Sequence, residues 1–125
     1  MSLLYVALGG ALGASARYLV GAWLGAWLGP GFPWGTLFAN MSGSFLIGVV
    51  LVLVDGGTLP EGARPLLAVG LLGGYTTFSS FSHESLRLLA DTGAFLALMN
   101  LFGQVFLGLV FVYLGIVVGR LLGGA

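Results

Sequence analysis

Long apolar runs separated by short polar ones organise this chain. Four runs are long enough to cross a bilayer, at roughly Leu3–Leu28, Trp34–Val54, Pro65–Leu89 and Phe95–Leu121, since a helix needs about 20 apolar residues to span the hydrocarbon. The stretch "GPGFP" closes the first run, "DGGTLPEGARP" separates the second from the third, and "ADTG" the third from the fourth. These breaks carry the Gly, Pro and Asp that end helices and form turns. The predicted fold is an all-α membrane protein, a single integral domain over residues 1–125 with four transmembrane helices. The first run lacks a basic leader and is too long for a cleaved signal, so it is expected to remain as a span.

Composition agrees with that pattern. Hydrophobic residues make up 58% of the chain and charged residues 6%, against roughly a quarter charged in soluble domains. Zero net charge and the absence of lysine argue against nucleic acid as a partner and against a polybasic lipid-binding patch. Without cysteine there is no disulfide, thiolate or zinc-finger chemistry. The single histidine, His83, has no ligand cluster around it, and the Ser, His and acid of "SSFSHE" lie too close in sequence to form a triad. An enzyme is not expected, and His83 reads as a residue near the membrane interface.

Orientation depends on arginine. With four spans both termini and the 55–64 loop share one side. Arg64 and Arg120 lie there, Arg87 lies near the opposite side, and Arg17 is inside the first span. The positive-inside signal is therefore nearly balanced. That is compatible with insertion in both directions as an antiparallel, dual-topology homodimer, or with a single orientation set by a weak bias. Glycines spaced for close helix packing, Gly9, Gly13, Gly21, Gly25 and Gly29 in the first span and Gly108, Gly115 and Gly119 in the last, predict a compact bundle.

Polar residues converge in depth. At about 1.5 Å per residue, Arg17, Asn40 and Asn100 all fall about 21 Å from the side of the termini, Phe78 and Phe81 at about 20–24 Å, and Glu84 at about 28 Å. Thr36, Asn40 and Ser44 recur every four residues on one face of the second helix, and Asn100 and Gln104 do so on the fourth. Polar groups facing lipid are costly, so these rows should face protein or a water-accessible path. Interhelical hydrogen bonding would explain each alone; a pathway accounts better for the whole set.

The stretch "GGYTTFSSFSHE" (73–84) places a glycine pair, five Ser and Thr hydroxyls, two phenylalanines and an acid within the third run. Gly73 and Gly74 followed by two β-branched threonines weaken a helix near the midplane, so this helix is expected to be broken there. A break frees carbonyls, which bind cations, and amides and hydroxyls, which bind anions. Phe78 and Phe81 are ordinary packing residues by default, but their positive ring edges among hydroxyls would also suit a small anion. Arg17 and Glu84 either pair with each other or take part directly in ion binding.

At these residues the sequence resembles the Fluc (CrcB) fluoride channels, along nearly the whole chain. "GGALGASARY" (9–18), "GTLFANMSGSF" (35–45) and "GGYTTFSSFSHE" are similar to that family's first-helix, second-helix and broken-helix motifs. The resemblance implies a dual-topology dimer in the cell (inner) membrane, with two antiparallel pores exporting fluoride and a sodium ion at the centre. By position it implies that Phe78 and Phe81 present ring edges to fluoride. It likewise implies that Asn40, Ser80, Ser79 and Thr36 line the pore and that the carbonyls of Gly73 and Thr76 hold sodium. Arg17, Glu84, Asn100 and Gln104 would form the vestibule and polar network. The fourth helix departs from the family pattern of Tyr then Ser before a glycine: here Asn100 and Gln104 precede Gly108. Amides also donate hydrogen bonds to anions.

The leading expectation is therefore a passive fluoride channel. A small multidrug-type exporter also has four helices, but it needs an acid on the first helix, where this chain has only Arg17. A non-transporting membrane scaffold would explain the glycine packing and leave the polar convergence unexplained.

Overall fold

The computed structural model describes residues 2–123, and all regular structure among them is helical. Helix α1 spans Ser2–Leu28, α2 Trp34–Asp55 and α5 Ala94–Gly123. All three are long and apolar enough to cross a membrane. The stretch between α2 and α5 is made of pieces: a π-helix, π1, over Arg64–Leu72, one α-turn, α3, over Gly73–Tyr75, and α4 over Phe78–Asp91.

The turns follow from local chemistry. Gly29 (φ 81°) ends α1 and Gly93 (φ 103°) ends α4, both in the left-handed region that glycine enters without a Cβ penalty. At the second of these, the N–H groups of Thr92 and Gly93 both donate to the Leu88 carbonyl, at 2.9 and 3.0 Å. Pro65 sits at the start of π1, where its missing N–H costs nothing. At the start of π1, Arg64 pairs with Asp55 at the end of α2 and with Glu61 in the loop between them.

The bundle consists of two parallel pairs. Helix α1 lies along π1 and α3 in the same direction, and glycine makes this possible. A Cβ on Gly9 would strike the backbone of Leu66 and Leu71, one on Gly13 the backbone of Leu71 and Tyr75, and one on Gly74 the backbone of Gly10. Helices α2 and α5 likewise run side by side. Gly48 faces Val112 and Ile116, Gly115 faces Phe45, and Gly119 faces Val49 and Val52. Lipid supplies no hydrophobic drive for helices to associate, so such close backbone contact and its dispersion energy hold them together. Gly35 meets Gly21 where α1 and α2 cross. Gly25 has open space around it and Gly108 only loose contacts, so the regular glycine spacing covers positions with quite different jobs.

The helix is interrupted at Thr76 (φ −85°, ψ 156°) and Thr77 (φ −149°, ψ 122°). The break was expected within Gly73–Thr77, from the glycine pair and the two threonines together; it falls on the threonines, and Gly73 and Gly74 remain helical. Gly74 serves the close approach to α1, and the β-branched threonines take the extended conformation they favour. The outward faces of α1 and α5 are exposed and apolar, with Leu3, Leu12, Trp23 and Trp27 on one and Phe95, Phe102 and Leu109 on the other.

Candidate functional site: an amide cluster at the helix break

An extended residue turns its N–H and C=O to the same side, as in a sheet ladder. Thr77 presents that edge to α2, where Asn40 grips it. The Thr77 N–H donates to Asn40 Oδ1 at 2.8 Å, and Asn40 Nδ2 donates to the Thr77 carbonyl at 3.2 Å. The Thr77 hydroxyl caps α4 by accepting from the Ser80 N–H at 3.1 Å, which satisfies one of the free donors at a helix start.

The same Asn40 amide reaches α5, donating to Gln104 Oε1 at 2.8 Å. Gln104 Nε2 donates to Asn100 Oδ1 at 2.9 Å, and Asn100 Nδ2 donates to Ser85 Oγ at 2.9 Å. Ser85 in turn donates to the Phe81 carbonyl at 2.7 Å. Asn100 is 1% exposed and Gln104 6%, a depth at which polar groups need partners, and here they have them. Sequence reasoning did not find Ser85. The signal was available: it lies four residues after Phe81, on the face of α4 that must meet α5. Nor did it find the 2.9 Å contact between Ser42 and the Tyr75 hydroxyl, which ties α2 to the turn before the break.

A cleft of about 320 Å³ opens beside this cluster. Asn40, Gln104, Gly73, Thr76, Phe78 and Phe81 are among the residues on its wall, and the wall contains no carboxylate. The two rings lie 5.9 Å apart at 60°, but their settings differ: Phe81 is 8% exposed and Phe78 78%. Ser79 and Ser80 are not on this wall. Ser80 takes part through its backbone N–H, and the Ser79 hydroxyl lies 3.3 Å from that of Thr77.

Thr36 and Glu84 border a second hollow of about 300 Å³, together with Arg87 and Asp91. Glu84 Oε1 is buried there without a hydrogen-bond partner. Arg17 lies elsewhere and does not pair with Glu84. Its Nε donates to the Gly74 carbonyl at 3.2 Å, whose own helical partner was removed by the break. The carbonyl of Gly73 is in a similar position, because the N–H that would follow it in an α-helix, that of Thr77, is taken by Asn40. Among the described residues no cluster of three His, Cys, Asp or Glu exists.

Residues 4–116 match the family model for CrcB-like protein, Camphor Resistance (CrcB). The chain belongs to the CrcB family. It is similar to proteins named Fluoride-specific ion channel FluC. One, from Thermus thermophilus, is 54% identical over 97% of this chain and 95% of the relative. Another, from Magnetococcus marinus, is 48% identical over 98% and 100% respectively. A third, from Rhizobium meliloti, is 44% identical over 94% and 95%. With its long apolar helices, this CrcB-family chain is a multi-pass membrane protein.

Proposed function

We propose that the chain is the subunit of a passive fluoride-selective channel that lets fluoride leave the cytoplasm through two antiparallel pores of a homodimer. One observation carries the reading: the Asn40–Gln104 amide pair opens on a cleft edged by Phe78 and Phe81 and free of carboxylates. The relatives' name, Fluoride-specific ion channel FluC, points the same way.

A small, strongly hydrated anion enters a narrow path only where close donors replace its water. Amide N–H groups supply such donors, and the positive edges of aromatic rings add to them. A carboxylate on the wall would repel the ion. Ser79, Ser80 and Thr36 would add hydroxyls along the approach, with Glu84 and Arg17 at its polar margins. Conduction needs no covalent step and no ATP, so the chain acts as a channel and not as an enzyme.

Pairing of two inverted copies is supported by the near-balanced arginines and the exposed apolar outer faces. It is also supported by Phe78, which is bare in a single chain beside a buried Phe81. The break has the chemistry to hold sodium, since the carbonyls of Gly73 and Thr76 lie where the helix ends, and unwound carbonyls are good ligands for that ion. Two carbonyls from one chain do not complete a shell; the same pair from a second copy would. Bound there, sodium would offset the carbonyl dipoles of the break.

The decisive experiment is anion efflux from liposomes carrying the purified protein, followed with fluoride and chloride electrodes together. Rapid fluoride release with negligible chloride is expected. A folded protein that releases no fluoride would overturn the reading.

A further inference from the structure

The hydrogen bonds joining Thr77 to Phe81 through three amides all run in one direction, and the two ends determine that direction. A backbone N–H can only donate, so Asn40 must turn Oδ1 to Thr77. As placed, Ser85 gives its single proton to the Phe81 carbonyl and accepts from Asn100. Asn100 is thereby obliged to offer Nδ2 to Ser85 and Oδ1 to Gln104. Gln104 must then offer Nε2 to Asn100 and Oε1 to Asn40. Both ends require the same orientation of every amide between them.

The proton count follows. Both protons of Asn40 Nδ2 are engaged, one by Gln104 and one by the Thr77 carbonyl. Gln104 Nε2 gives one proton to Asn100, and its second has no acceptor. Of the two amides on the wall of the cleft, Gln104 is the one with a donor to spare. Asn100 and Ser85 do not border that cleft.

We infer that Asn100 and Ser85 are positioning residues that hold the Gln104 amide with its spare N–H available to an anion in the cleft, and that Gln104 sets anion specificity there. The inference rests on the channel reading above. Without Ser85 the Asn100 amide loses the acceptor that anchors it. Asn40 still holds Gln104 Oε1, but Gln104 Nε2 then loses a fixed partner, and its spare N–H is no longer held toward the cleft.

The chain has one glutamine, Gln104, and two asparagines, Asn40 and Asn100. Labelling glutamine side chains with nitrogen-15 therefore gives a single amide pair in the spectrum. In the wild type, that pair should show two well-separated protons, and one should move when sodium fluoride, but not sodium chloride, is added. Ser85→Ala and Asn100→Leu should each show a changed Gln104 pair that no longer answers to fluoride. Each should also lower fluoride efflux roughly tenfold, the scale of one hydrogen bond to a charged group. Ser85→Ala removes a single buried oxygen and keeps the test alive should Asn100→Leu fail to fold. Variants that conduct as well as a conducting wild type overturn the assignment alone. So does reduced efflux with the Gln104 pair and its fluoride response unchanged, which would make the role merely structural. A folded wild type that passes no fluoride overturns the channel reading and this assignment with it.

Discussion

Along α1 the third crossing is held by backbone laid on backbone, whereas along α2 and α5 it is held by side-chain amides. The first seam depends on what is missing: Gly9, Gly13 and Gly74 leave no room for a Cβ. The second depends on what is present, a continuous run of donors and acceptors from Thr77 to Phe81. A dry glycine seam needs no chemical partner but tolerates no added volume. An amide seam tolerates small changes of shape, but loss of one partner leaves another stranded in a low-dielectric setting. The break lies between the two, anchored on one side by Arg17 at the Gly74 carbonyl and on the other by Asn40 at Thr77.

The largest effect should come from filling the dry seam. Gly13→Leu drives a side chain into the backbone of Leu71 and Tyr75, and overpacking of this kind should cost about 3 kcal/mol or more, read as loss of folded protein in a thermal melt. Next come changes on the cleft. Asn40→Asp removes both N–H donors and brings a negative charge to the wall. Its fluoride efflux should fall by about a hundredfold or more while the protein stays folded. Phe81→Ile should likewise abolish efflux. Normal flux in both variants would take the cleft out of the pathway.

Smaller effects sharpen the contrast. Arg17→Met leaves the Gly74 carbonyl without its donor and should lower stability by about 1–2 kcal/mol, measured by denaturant titration in detergent. Gly25→Ala meets nothing within 4 Å and should be neutral or stabilising by up to about 1 kcal/mol, the helix propensity gained. An alanine there that weakened the protein would mean that another chain lies against Gly25.

The three long apolar helices were plain in the sequence, because runs of this length and hydropathy have few alternatives. What each small or polar residue does was less plain. The four-residue glycine spacing of the first run does not distinguish Gly13, pressed against backbone, from Gly25, which is open, because spacing marks a face and not its neighbour. The break was expected over residues 73–77 and falls on the two threonines at the end of that stretch, where Asn40 grips an extended edge, a contact made across 37 positions. The nearness of Asn40 and Asn100 was visible from depth, and Gln104 from its place four residues after Asn100 on the same face. Arg17 and Glu84 reached similar depths without meeting, because depth says nothing about azimuth. The π-turns of π1 had no signal in the pattern of apolar residues.

The bond between Arg17 and Gly74 joins groups 57 residues apart, and the order of synthesis gives that separation a meaning. When α1 first enters the bilayer, the third crossing has not been made and the guanidinium has no carbonyl to receive it. An arginine in the middle of a span opposes insertion by roughly 2.5–3.5 kcal/mol, so the leucines and tryptophans of α1 must carry it alone during biogenesis. The interrupted helix then completes a segment inserted earlier in the life of the chain.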